Sequence, residues 1–129
     1  MIYIVDSHTW IEYFIGSKQG MGLRRLLEDE NNKFITMECV IGELKSYCLR
    51  TDFNFIQSYK SIKRNSIILP VLANHWIEAA EIRHEIREKI KDFGFIDSIL
   101  LAKQNELSCM IVSGDRHFKG MKKVIYIGN

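Results

Sequence analysis

A single proline, Pro70, interrupts the chain; nowhere do proline, glycine or serine gather into a linker, and no stretch repeats another. Without such a seam, the 129 residues are expected to fold as one domain, residues 1–129, long enough for a proper core and too short for two. Cysteine is scarce as well: Cys39, Cys48 and Cys109 form no Cys-x-x-Cys pair and lie in apolar helix-like or strand-like segments. An odd count without metal spacing excludes a disulfide framework and suits a reducing compartment, with the thiols packed as small hydrophobes. No positively charged leader precedes the short apolar N-terminus, and no apolar run approaches membrane-spanning length. The expectation is a soluble, cytoplasmic protein without a membrane partner. Charge of one sign is not in large excess either. A net charge of +2 excludes a polycationic nucleic-acid tail and leaves room for a basic groove. What remains, 47% hydrophobic and 26% charged residues, is ordinary globular composition.

Met1-Ile2-Tyr3-Ile4-Val5 is an apolar, β-branched run of strand length that ends on Asp6. A helix capped by Ser7 or Thr9 follows, with Trp10, Ile11, Phe14 and Ile15 at helical spacing and Gly16 as its stop. Leu23, Leu26 and Leu27 share one face of a short helix that Asn31-Asn32 ends. Phe34–Met37 reads as a second strand, Glu38–Leu49 and Phe53–Ile62 as helices, and Ser66–Val71 as a third strand. Its proline suggests an edge position or the end of pairing. Asn74 opens a long helix to about Lys91 with Ala79, Ile82, Ile86 and Ile90 as its stripe, and Gly94 breaks it. Phe95–Leu107 is the last helix, followed by strands at Met110–Val112 and Val124–Ile127. This alternation predicts the α/β class, a parallel sheet covered by helices on both faces.

Four carboxylates depart from the solvated faces where the other acids fall. Asp6 and Asp115 each follow an apolar strand core, so parallel neighbouring strands would bring both to one sheet edge, where ligands gather in open α/β sheets. Glu43 shares a helical stripe with Val40 and Tyr47 that should face the protein, a costly place for an unpaired carboxylate. Asp97 stands among Phe95, Ile96, Ile99, Leu100 and Leu101 in what reads as a helix buried nearly all round; a plain helix-start acid is the alternative. Carboxylates brought together without bases repel one another, and a hard divalent cation such as Mg²⁺ or Mn²⁺ resolves the conflict. Phosphodiester hydrolysis is the natural chemistry of such a site.

Ile4-Val5-Asp6-Ser7 with Trp10-Ile11, the helix bearing Glu43, the run Phe95–Ala102 with Asp97, and Ser113-Gly114-Asp115-Arg116-His117-Phe118 together resemble, in order and spacing, the PIN-domain ribonucleases. The length resembles that of the toxin nucleases of type II toxin–antitoxin pairs, often called VapC. The resemblance covers the whole chain. It implies a Rossmann-like three-layer α/β/α sandwich with a central parallel sheet, Mg²⁺- or Mn²⁺-dependent endonucleolytic cleavage of RNA, a homodimer, and a cognate antitoxin encoded alongside. Residue by residue, Asp6, Glu43, Asp97 and Asp115 match the family's catalytic, metal-binding quartet. Ser7 matches the small hydroxyl residue after the first acid, and Ser113 the Ser or Thr that helps orient the last one. Many members carry a further acid two residues after the last; this chain has His117, read as an ordinary surface histidine that could otherwise ligate Mn²⁺ or touch phosphate.

Among the basic residues, Arg116 is best placed for substrate phosphate because it adjoins Asp115. A receiver-like domain would need a phosphoacceptor aspartate ending its central strand, and Ile67–Val71 ends without one. A phosphatase of the Asp-x-Asp type fails because residue 8 is histidine. The remaining rivals are a catalytically weak PIN-like module that binds RNA or protein, and a stand-alone RNA-processing nuclease.

Overall fold

The structure, a computed structural model, describes residues 1–129. Strands β1 (Ile2–Val5), β2 (Lys33–Met37), β3 (Ile67–Leu69), β4 (Met110–Ser113) and β5 (Val124–Tyr126) form one sheet in the order β3-β2-β1-β4-β5. Every pairing is parallel, so the C-terminal tips of all strands share one edge. The helices are α1 (Ser7–Ile15), α2 (Gly20–Leu27), α3 (Glu38–Thr51), α4 (Phe55–Asn65), α5 (Ala73–Ile86) and α6 (Phe95–Leu107). Crossovers between parallel strands are right-handed, so the run from β1 out to β3 sets α1–α4 on one face, and the return to β4 sets α5 and α6 on the other. The contacts agree: α1 packs on α2 and α3, α3 on α4, and α5 on α6. The expected three-layer α/β/α sandwich is what the chain forms.

Strand β1 lies at the centre, with Ile4 opposite both Ile35 of β2 and Ile111 of β4. Ile4, Val5, Ile111 and Val112 have no exposed surface, because a central parallel strand is covered on both faces. Trp10, on the first helix, is fully buried and its Nε1 donates to Thr36 Oγ1 at 3.1 Å, tying α1 to β2. Helix α2 crosses α1 so closely that a Cβ on Gly20 would lie 2.2 Å from the Glu12 carbonyl oxygen. Cys48 and Cys109 are buried, Cys39 half-buried, and all three are free thiols.

Three expectations need correction. The third strand is shorter than Ser66–Val71, ending at Leu69, while its place at the sheet's edge with Pro70 just past its end is the one the proline suggests. It is therefore not the central strand that a receiver-like domain would end on aspartate; that place belongs to β1, which Asp6 follows. Helix α5 stops at Ile86 instead of Lys91, and its N-cap is Leu72 rather than Asn74. The early stop follows from Phe93: its ring is fully buried and its carbonyl accepts from Arg87 Nε at 2.8 Å, which turns the chain inward. At the other end, His75 Nδ1 accepts the Leu72 amide at 3.0 Å, a cap supplied from inside the helix. Finally, the cap of α1 is neither Ser7 nor Thr9 but Asp6 itself.

A carboxylate cluster at the C-terminal edge of the sheet

Asp6 ends the central strand and is 4% exposed. Its Oδ1 accepts the Thr9 amide at 2.9 Å, satisfying one of the free N–H groups that any helix start presents. Its Oδ2 accepts from the Ser113 hydroxyl. Burial pushes the Asp6 carboxyl up from its ordinary value, while the bonds from Ser113 and Thr9 pull the other way. Thr9 Oγ1 donates in turn to the Val112 carbonyl at 3.1 Å, so the tips of β1 and β4 are joined through the start of α1.

Ser113 serves two acids at once. While its hydroxyl donates to Asp6, its oxygen accepts the Asp115 amide at 3.0 Å. Asp115 Oδ1 then accepts the His117 amide at 2.8 Å, capping the short 3₁₀ turn Arg116–Phe118. The adjacency that topology only suggested for Asp6 and Asp115 is thus enforced by one buried serine.

Glu43 reaches the site from α3, where Ser7 Oγ donates to its Oε1 at 2.9 Å. It is exposed, flanking the buried stripe Val40, Leu44 and Cys48 rather than belonging to it, which corrects the sequence reading. Protein atoms around the carboxylate still push its pKa up; the Ser7 bond opposes this, and the charges of Asp6 and Asp115 add to the rise. Asp97 stands in the first turn of α6 and is half-buried. That helix is not buried all round, since Phe95 at its start and Leu107 at its end are exposed. Burial, then the charges of Asp115, Asp6 and Glu43, push the Asp97 carboxyl from 3.8 up to about 7. The four predicted acids therefore feel one another across the edge of the sheet.

His117 is not the ordinary surface histidine the sequence suggested. Its side chain is 18% exposed, with Nδ1 3.4 Å from Asp115 Oδ1 and Nε2 3.1 Å from Asp92 Oδ1. Ligand atoms of Asp97, Asp115 and His117 lie within 4.8 Å of one another; Asp6 and Glu43 stand outside that group. Arg116 is exposed and forms no ion pair. His8 lies beside the loop, its Nε2 3.1 Å from Gln19 Oε1, and its ring passes so near Gly114 that a Cβ there would come within 2.6 Å. Asp92 and Gln19 carried no signal in the sequence: both fall between the segments that read as helices.

No lysine or arginine pairs with Asp6, Glu43, Asp97 or Asp115. Crowding acids of which Asp6 is buried and Asp97 and Asp115 half-buried, without a counter-charge, is costly, and the donors, carboxylate and hydroxyl oxygens with one imidazole, suit a hard or borderline divalent cation. The residues present fit such an ion.

A family model described as PIN domain matches residues 3–124. Sequence comparison with curated proteins finds no match. Among solved structures, the fold is similar to VapC20 of Mycobacterium tuberculosis, described as a sarcin-ricin loop cleaving toxin, at TM-score 0.73 and 18% identity over 95% of this chain and 96% of that one. It is also similar to a toxin–antitoxin complex from Klebsiella pneumoniae, at TM-score 0.72 and 14% identity, covering 97% of each chain. VapBC2 of Rickettsia felis, bound to a DNA fragment from its promoter, matches at TM-score 0.69 and 18% identity over 98% of this chain and 97% of that one.

Proposed function

The chain belongs to the PIN domain family, and from that premise we propose that it is, as a single domain over residues 1–129, a divalent-metal-dependent endoribonuclease serving as the toxin of a type II toxin–antitoxin pair. One observation supports the catalytic part above the others. The Asp97 carboxyl is pushed up to about 7 by burial and by Asp115, Asp6 and Glu43, with no cationic side chain to offset them. A site so arranged is paid for by what it binds.

In this reading Asp6, Glu43, Asp97 and Asp115 hold Mg²⁺ or Mn²⁺. When bound, the cation supplies Lewis-acid charge that stabilises oxyanions and makes water more acidic. The chain's own residues fix where this occurs. Ser113 and the Thr9 amide hold Asp6 in one orientation, Ser113 also holds the Asp115 backbone, and Ser7 turns Glu43 toward the site. Arg116, exposed at the rim beside Asp115, contacts the RNA phosphates. Toxin–antitoxin complexes among the similar structures support a cognate antitoxin as partner, and the protein is expected to act as a homodimer in the cytoplasm. No helix of the chain is long and apolar enough to cross a membrane.

The test is RNA cleavage by the purified protein in Mg²⁺ or Mn²⁺, with and without EDTA. Cleavage should stop in EDTA, and Asp6→Asn should slow it by about 10²–10³-fold or more while the fold is kept. If calorimetry finds no divalent ion bound, or Asp6→Asn cuts as fast as the parent, the catalytic reading is wrong. For the toxin role, expression should arrest growth, and a short reading frame beside the gene should relieve the arrest; without such a neighbour the stand-alone RNA-processing nuclease is the better reading.

A further inference from the structure

The imidazole of His117 is held from both sides. Asp92 Oδ1 lies 3.1 Å from Nε2 and Asp115 Oδ1 lies 3.4 Å from Nδ1, so a carboxylate stands beside each ring nitrogen. A ring nitrogen of His117 and carboxylate oxygens of Asp97 and Asp115 lie within 4.8 Å of one another, a spacing that one cation can span. Phe93, fully buried, seats the ring at 6.0 Å between centroids, and the His117 amide is anchored on Asp115. A carboxylate on the far side of an imidazole that faces further carboxylates is the arrangement that orients metal-ligating histidines.

We propose that Asp97, Asp115 and His117 form a mixed nitrogen–oxygen cation position, with Asp92 orienting the imidazole, and that this position shifts the site's preference from Mg²⁺ toward a first-row transition ion. The inference rests on the metal-dependent reading above and adds to it a nitrogen ligand and the ion that ligand favours. Mg²⁺ takes oxygen ligands and sheds water reluctantly, whereas imidazole favours transition ions. His117 thus sets metal choice at a position where a carboxylate would leave the site all-oxygen.

Mn²⁺ is the probe. The metal-free full-length protein is titrated with Mn²⁺ and with Mg²⁺ by calorimetry, and the Mn²⁺-loaded protein is examined by pulsed electron paramagnetic resonance for coupling to ¹⁴N. The parent should show that coupling; His117→Gln should lose it, and His84→Gln, at an exposed position on α5, should keep it. His117→Gln should also lower the ratio of Mn²⁺ to Mg²⁺ affinity by about tenfold, and Asp92→Asn should weaken Mn²⁺ binding several-fold with the coupling retained. His117→Asp guards against loss of fold: it should bind both ions without ¹⁴N coupling. Mn²⁺ bound to the parent without coupling, or coupling that survives His117→Gln, overturns the inference while the acidic metal site stands. A parent that binds neither ion overturns both.

Discussion

Ser113 shows how much a single small side chain organises. Its hydroxyl donates to one acid and accepts from the backbone of another, so it sets the spacing of Asp6 and Asp115 without carrying charge itself. Removing it leaves a buried Asp6 oxygen and the Asp115 amide without their partner, and an unmade bond to a buried charged group is expensive. Ser113→Ala is expected to lower stability by about 1–3 kcal/mol, checked by urea unfolding, and to reduce RNA cleavage by more than that loss of stability explains. Ser113→Thr keeps the hydroxyl and should keep most of the activity. At this scale the sequence was informative: all four acids stood out against their neighbours. What it hid was the second use of Asp6, because a carboxylate that caps a helix is indistinguishable, in a linear string, from one that merely precedes it.

Helix α1 is the element on which the site depends most. It begins on the Asp6 cap, offers Ser7 to Glu43, anchors Trp10 to β2, and receives α2 against the Glu12 carbonyl. Glycine at position 20 is required by that last contact: an added Cβ would lie 2.2 Å from a backbone oxygen, so the helices must part. Gly20→Ala should cost about 1–3 kcal/mol, seen as a lower urea midpoint at unchanged slope, and cleavage should weaken as Ser7 shifts relative to Glu43. Periodicity exposed the existence of every helix, yet it misjudged the end of α5. Its stripe of Ile82, Ile86 and Ile90 continues past the true stop, because the burial of Phe93 and the Arg87–Phe93 bond are tertiary contacts that override local pattern.

For the whole molecule, the crowded carboxylates couple folding to pH. The Asp97 carboxyl sits at about 7 in the folded protein, above its ordinary 3.8, so the folded state binds this proton more tightly than the unfolded chain. The resulting stabilisation is full below the unfolded value and is lost as pH rises through about 7. Asp6 and Glu43, raised in the same direction, add to the slope. In EDTA the melting temperature should therefore fall between pH 5 and pH 7.5, by an amount corresponding to about 1–2 kcal/mol once solvent screening is allowed for. Asp97→Asn should flatten the fall. Saturating Mn²⁺ or Mg²⁺ at the upper end of the range should raise the melting temperature, since an ion that binds only the folded state stabilises it by mass action. A metal-free profile that is flat, or unchanged by Asp97→Asn, would falsify the mutual crowding of these groups.

The sequence by itself determined the class of fold and the chemistry available to it. Alternating apolar strands and amphipathic helices allow few arrangements other than a covered parallel sheet, and carboxylates at strand tips must meet wherever those tips are neighbours. Only the tertiary structure decided which strands are neighbours. Placing β1 between β2 and β4, rather than giving the centre to β3, is what buries Asp6 and sets it beside Ser113. The surroundings of His117 were likewise undetermined until the loop after α5 folded back and set Asp92 beside the imidazole. The physical reason is the same in both cases: periodicity records which face of an element is apolar, whereas hydrogen bonds between side chains far apart in sequence exist only after the chain has closed on itself.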